Sequence, residues 1–523
     1  MTALFEKNLI LAAGVCFFIG SIVFYSYKKY NPAIAFLCLG SFLLFSYAAL
    51  LDPFLNIWDE RFHALVAKNL LQHPLMPTLY DDPVISMQYD RWDRAIIWLH
   101  KQPFFLWQIS LCYKLFGTSE FTTRLPSVLL GSGLILISYR TGKLLLTPDA
   151  GYYAAFLFAT SYYLAELISG RLMVDHNDVS FLFYVSASIW AWVEYVFSGK
   201  TKWIIWVGIF SGIAVLCKWL VGLAVFSGWL SYIIYTNIKS NKGGIPENRP
   251  WYDFFIALLV TVIVALPWQL FIFQRYPVEA AFSYLENNLH FTSAVEGHRG
   301  PWWFYFYNIK TLYGSAILIV LPLAIFISLK RIKIKPLAVA FFSILFVVYI
   351  FFTLSKTKMP GFTFMISLPV FVSSGILMDY IFKKIENAKF PGFSYRLCIL
   401  VILLLIGYQN LNLPAIRKDH SMRGPNMLYR TISIGNKQAF VSLKTTTPLN
   451  SVVFNLCGRT YVDCMFYSGF PSYNFIPSAG QNSELKIKNR TIVIFCRQGQ
   501  TLPDYIQKDK SILVRRDVIG SCE

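Results

Sequence analysis

Residues 56–70 read NIWDERFHALVAKNL. Two adjacent carboxylates, Asp59 and Glu60, follow directly on a long apolar run, where a greasy chain has few charges to spare. After them Phe62, Leu65, Val66, Asn69 and Leu70 recur at helical spacing. This predicts an amphipathic helix lying on a membrane surface. The plain reading of the acidic pair is electrostatic, since carboxylates at a helix N-terminus are favoured by the helix dipole. A functional reading depends on what surrounds the pair.

Of the 523 residues, 56% are hydrophobic and 14% charged, against about a quarter charged in soluble domains. The class is therefore a multi-pass α-helical membrane protein. Apolar runs near 8–26, 32–51, 126–146, 150–168, 177–197, 203–217, 219–236, 251–272, 308–328, 337–354, 361–382 and 395–412 predict about twelve transmembrane helices of roughly 20 residues each. Residues 98–116 read as interfacial or re-entrant. The N-terminal run is followed, not preceded, by Lys28 and Lys29, so it reads as a spanning helix with its N-terminus outside and not as a cleavable signal.

The net charge of +19 collects in short loops: 25–32, 140–143, 198–202, 238–244, 330–335 and 383–389. These fall on alternate sides of successive helices, which fits one cytoplasmic face. No nucleic-acid motif accompanies the charge, so nucleic acid is excluded as a partner. The long loop 52–125, the turns at 169–176, 218 and 355–360, the loop 273–307 and the tail 413–523 then face outward. The expected domains are a transmembrane region, 1–412, carrying loop 52–125, and an extracytoplasmic C-terminal domain, 413–523.

The tail alternates strand-like pieces (SVVFNL, TIVIFC, SILVRR) with Pro, Gly and Asn turns and predicts a small α/β domain. It carries 15 Lys and Arg against 7 Asp and Glu, a net +8, which suits an anionic acceptor or membrane surface, or a cover over the site. Cys457, Cys464, Cys496 and Cys522 all lie there, and an even number in a small domain fits one or two disulfides. The remaining five cysteines lie in or near apolar runs and read as packing residues.

The outward segments hold nearly every polar residue that is out of place. WLHKQPFFLW (98–107) presents His100 and Lys101; FGTSEFTTRLPSVLLG (116–131) presents Arg124; SGRLMVDHND (169–178) presents Arg171, Asp175, His176 and Asp178; LSKTKMPGF (354–362) presents Lys356 and Lys358. Each cation has a bland reading as a snorkelling side chain. Together they run against the positive-inside trend and call for an anionic partner, for which a lipid-linked phosphate is the natural candidate. Carboxylates that take a proton from a hydroxyl, beside cations that hold a phosphate leaving group, make up the chemistry of glycosyl transfer.

In order, these motifs resemble the GT-C glycosyltransferases, in particular the branch containing the bacterial lipid A aminoarabinose transferase and the dolichyl-phosphate-mannose protein mannosyltransferases. The likeness runs over residues 50–375: Asp59-Glu60; His100-Lys101-Gln102-Pro103; Arg124-Leu125-Pro126-Ser127; Arg171 with Asp175; Glu286-Asn287 followed by His298, Gly300, Pro301 and Tyr305; and Ser355-Lys356-Thr357-Lys358-Met359-Pro360. Two departures stand out: Gln102 replaces a proline, and helix 8–26 precedes the usual first helix.

The resemblance implies a GT-C fold and a polyprenyl-phosphate sugar as donor partner, with a lipid, glycan or protein acceptor. It also implies a bacterial inner membrane with the site and C-terminal domain facing the periplasm. Asp59 would be the general base, with Glu60 its helper or a structural partner. Lys101, Arg124, Arg171, Asp175, Lys356 and Lys358 would bind the donor or a phosphate, and His298, Arg299 and Tyr305 would border the cavity on a mobile loop. No cofactor is required by the sequence; a divalent metal on His100 or His176 stands against the plainer reading of hydrogen-bonded interfacial histidines. The competing function is a polyprenyl-lipid or solute transporter without transferase activity.

Overall fold

The computed structural model describes residues 2–172, 176–240, 249–386, 392–419, 425–497 and 499–516. The chain divides into two compact units, one of residues 1–51, 102–105 and 124–416, the other of residues 52–101, 106–123 and 417–523.

The first unit is helical. Among the described residues nine helices are long and apolar enough to cross a membrane, or ten if a bent pair counts as one span. Every run read from the sequence is helical, and the difference from twelve lies in breaks. The run at 150–168 splits into Pro148–Ala159 and Tyr162–Ile168, because the Ser161 side chain accepts the Leu164 N–H and starts a new helix. The run at 308–328 is bent by 94° between Phe304–Tyr313 and Ile317–Arg331. The helices Thr201–Lys218 and Ala224–Ser240 are joined by the 3-10 turn Trp219–Leu223. Close packing uses small residues: a Cβ at Gly208 or Gly212 would lie 2.5 or 2.6 Å from Val260 or Val264 of the helix Arg249–Arg275, so these two glycines let the helices approach.

Charges mark the two ends of this unit. At one end Lys28 pairs with Asp149 at 2.8 Å, Arg331 and Lys383 pair with Asp379 at 2.6 and 2.9 Å, and Thr147 donates to Asp379 at 3.0 Å. Asp379 thus ties two of the basic segments, 330–335 and 383–389, to one carboxylate, while Lys28 of the segment 25–32 has its own partner in Asp149. At the other end, Lys218 is bonded to Asp178 and lies 5.1 Å from the Phe362 ring centroid.

The second unit combines most of the first loop with the C-terminal segment. This differs from the expected boundary, which gave the loop to the helical domain. The helix Asp59–Asn69, expected as an amphipathic surface helix, is enclosed by protein on nearly every side: nine of its eleven residues are buried, Glu60, Arg61 and His63 among them. The C-terminal segment carries a parallel sheet in the order β1 (Ser451–Phe454), β2 (Thr491–Phe495), β3 (Leu513–Arg515), with Val453 opposite Val493 and Val493 opposite Leu513. Helices link the strands, as parallel pairing requires, and the three strand-like pieces read from the sequence are the three strands. Cys457 is disulfide-bonded, whereas Cys464 and Cys496 are free thiols. That excludes two disulfides among the four tail cysteines; Cys522 lies outside the described residues.

Candidate functional site

In the second unit, Asp59 opens its helix and Lys101 closes the first-loop segment. Their charged atoms lie 3.8 Å apart, and both side chains are 17% exposed. A carboxylate and an ammonium at this depth attract more strongly than they would in bulk water, yet remain open to a ligand. The residue before Asp59 is unusual: Trp58 has φ 66° and ψ −128°, a conformation open to glycine but costly, by roughly 1–3 kcal/mol, for a side chain. Glu60 points inward. It is buried, and its carboxylate accepts the Asn56 N–H at 2.5 Å, so it ties down the chain ahead of the helix.

The neighbouring His100 stacks on Trp92, with ring centroids 4.6 Å apart and planes at 16°. His176 is buried at the start of the helix Asn177–Ser198 in the helical unit. Among the described residues no three metal-ligating side chains gather; Asp175, the acidic neighbour of His176 in the sequence, lies outside them.

In the helical unit the turn 355–359 is pinned by backbone bonds: Lys356 N–H to Phe291 O, Thr357 N–H to His290 O and Lys358 N–H to His298 O, each 3.0–3.1 Å. The two lysines in this turn then diverge. Lys356 is exposed. Lys358 is buried, and its ammonium donates to the carbonyls of Phe352, Thr353 and Ser355 at 3.3, 2.7 and 2.8 Å. It satisfies the end of the helix Lys335–Leu354, where a cation is favoured. Burial, and then the charge of Lys356, push its ammonium below the usual lysine range. His298 and Arg299 are exposed, but Tyr305 is buried, so it belongs to the packing beneath that loop and not to a cavity rim.

Arg124 is wholly buried and donates to the Ala49 carbonyl at 2.7 Å; this holds two helices together and leaves no face for a phosphate. Arg171 is partly exposed in its short turn, and Asp175 lies outside the described residues. Lys218, in the short turn at 218, is paired with Asp178. Gln102, the departure from the Lys-Pro-Pro pattern, is buried and accepts from Gln269 at 2.8 Å, while Gln269 accepts from the Tyr284 hydroxyl at 2.7 Å. A proline there would offer no side-chain acceptor to Gln269.

Comparison with known proteins shows what the chain resembles. Residues 100–268 match the family of dolichyl-phosphate-mannose-protein mannosyltransferases. The chain is 24% identical over 309 residues to an uncharacterized protein of Aquifex aeolicus, covering 58% of this chain and 56% of that one. It is 25% identical over 282 residues to the undecaprenyl phosphate-alpha-4-amino-4-deoxy-L-arabinose arabinosyl transferase of Pseudomonas paraeruginosa, covering 51% and 48%. The chain thus spans about half the length of the curated relatives it matches. Among solved structures it resembles ArnT from Cupriavidus metallidurans bound to undecaprenyl phosphate (TM-score 0.60, 14% identity, 87% of this chain and 88% of that one). It also resembles the oligosaccharyltransferase AglB of Archaeoglobus fulgidus (TM-score 0.55, 13% identity, 85% and 64%). The fold is the GT-C membrane fold, and within it the chain resembles the aminoarabinose and protein mannosyltransferases.

Proposed function

We propose that this protein is an integral-membrane glycosyltransferase that moves a sugar from a polyprenyl phosphate, undecaprenyl phosphate in a bacterium, to an acceptor hydroxyl on the outer face of the inner membrane. The carrying observation is the Asp59–Lys101 pair, a partly exposed carboxylate 3.8 Å from a partly exposed ammonium, in a chain with the GT-C fold. In the transfer, the bond between the sugar's anomeric carbon and the phosphate oxygen breaks, and its electron pair leaves with the phosphate. The acceptor oxygen bonds to the anomeric carbon, and its proton passes to Asp59. Lys101 counters the charge that grows on the departing phosphate.

Lys356 and Arg171, both with exposed surface, are the donor-binding candidates of the helical unit. Lys358 and Arg124 are structural. The acceptor is a lipid, a cell-surface glycan or a protein; the C-terminal segment's net positive charge favours an anionic one.

The test supplies radiolabelled polyprenyl-phosphate sugars to purified membranes. Transfer by the parent and its collapse in Asp59→Asn at matched protein level would support the reading, and the active donor would name the sugar. Movement of the donor across the bilayer without release of its sugar would replace it with the transporter reading.

A further inference from the structure

Behind the Asp59–Lys101 pair runs a closed ring of contacts, all inside the second unit, that passes through a residue of the C-terminal segment. Arg459 immediately precedes the helix Thr460–Ser468. Its guanidinium lies 4.3 Å from the Trp58 ring centroid and 5.0 Å from that of Trp92. Trp58 is covalently joined to Asp59. Trp92 stacks on His100, which is covalently joined to Lys101, and Lys101 faces Asp59. Asp93 holds the guanidinium from one side at 3.9 Å, and its own carbonyl is fixed by the Tyr461 hydroxyl.

We propose that Arg459 is a positioning residue: by contacting Trp58 and Trp92 together, it holds the backbone that carries Asp59 at its set distance from Lys101. The role rests on the reading of Asp59 and Lys101 given above. A tryptophan keeps a φ of 66° only where its surroundings over-determine it, and the ring contact with Arg459 supplies such a constraint. A guanidinium suits the task because its flat, delocalised face stacks on aromatic rings, while a lysine ammonium acts as a compact point charge. A carboxylate displaced by about 1 Å loses about 100-fold in rate. The C-terminal segment is then part of the catalytic apparatus through Arg459, even though that side chain touches no reacting atom.

The experiment uses the full-length protein in lipid nanodiscs and compares the parent with Arg459→Ala, Arg459→Lys and the exposed control Lys508→Ala. Two readouts are taken. The first is hydrogen exchange at the Asn56 and Ile57 amides, which are bonded to Glu60 and Tyr429 and directly precede Trp58. The second is kcat and donor KM with a radiolabelled polyprenyl-phosphate sugar. The expected result for both Arg459 variants is faster exchange at these amides and a kcat reduced about tenfold or more, with donor KM nearly unchanged and exchange of β1 and β2 at the parent level. Parent-like protection and kcat in Arg459→Ala would overturn the proposal. If Arg459→Ala fails to fold, Arg459→Lys, which keeps the charge facing Asp93, decides on the same readouts. If the parent transfers from no donor, the transferase reading falls, and exchange alone judges the holding of Trp58: lost protection supports it and retained protection overturns it.

Discussion

The Asp52 carboxylate lies 2.5 Å from the Arg430 guanidinium, with the two side chains only 4% and 15% exposed. The pair joins the start of the first loop to the first long helix of the C-terminal segment, and it is not alone. Lys437 pairs with Glu120 at 2.5 Å, Arg490 with Asp82 at 2.6 Å, and Arg61 with Asp463 at 3.4 Å. Ion pairs of both senses, tail cations on loop carboxylates and a loop arginine on a tail carboxylate, therefore help to join these distant stretches of sequence into one unit.

Removing one member of a buried pair strands the other charge, a change that costs about 3–5 kcal/mol. Asp52→Asn is expected to destabilise the second unit by about 3 kcal/mol, measured as a lower melting temperature and faster proteolysis of the C-terminal segment. Adding Arg430→Met should recover much of that loss. Equal losses in the single and double variants would mean that the pair is not what holds the loop.

Asp59→Asn is expected to reduce transfer by about 100-fold or more, as loss of a general base does, with little effect on melting temperature because the side chain is part-exposed. Lys101→Met should also lower kcat by about 100-fold. The double variant should lose less than the product of the two if the groups act together. Initial rates with saturating donor provide the check.

The lysines of the 355–359 turn should separate stability from activity. Lys358→Met removes charged hydrogen bonds to the end of a helix, worth about 1.5–3 kcal/mol, and is expected to lower the melting temperature. Lys356→Met should leave stability within about 0.5 kcal/mol, as exposed substitutions do, and raise donor KM. Thermal unfolding and donor titration of the two variants would reveal a reversed assignment.

Lys68 gives the second unit a pH signature. Burial first, then the Lys444 charge, push its ammonium down to about 8, with Asp81 acting the other way. The unfolded lysine titrates near 10.4. Below about 8 both states are protonated and the folded state bears the full burial penalty. Between about 8 and 10.4 the unfolded state binds more protons, so stability rises with pH. Relative to Lys68→Met, the parent is expected to gain stability between pH 8 and pH 10; parallel curves for the two proteins would refute it.

Hydrophobic runs of about 20 residues can be read along the chain because a bilayer demands them locally. All twelve proved helical, and the strands at 451, 491 and 513 were legible for the same local reason. The breaks at Ser161 and residues 219–223, and the 94° bend before Ile317, follow from capping and packing and leave little trace in hydropathy. The acidic pair and Lys101 were legible because charge beside apolar sequence is conspicuous. The fates of Lys356 and Lys358 were not, since two lysines in one short turn look alike until helix ends claim one of them. Arg459 is not legible at all, because a lone arginine in a basic tail carries no local signal.

The sequence by itself determined that this is a multi-pass helical membrane protein with a small α/β segment, because solvent preference and period are properties of neighbouring residues. It also marked Asp59 and Lys101. Only the tertiary structure decided which charges stay exposed and which bind the protein's own carbonyls and carboxylates. It also joined the first loop to the C-terminal segment 300 residues and more away. Ion pairs, ring stacking and burial act across space, between residues whose separation along the chain says nothing of their distance.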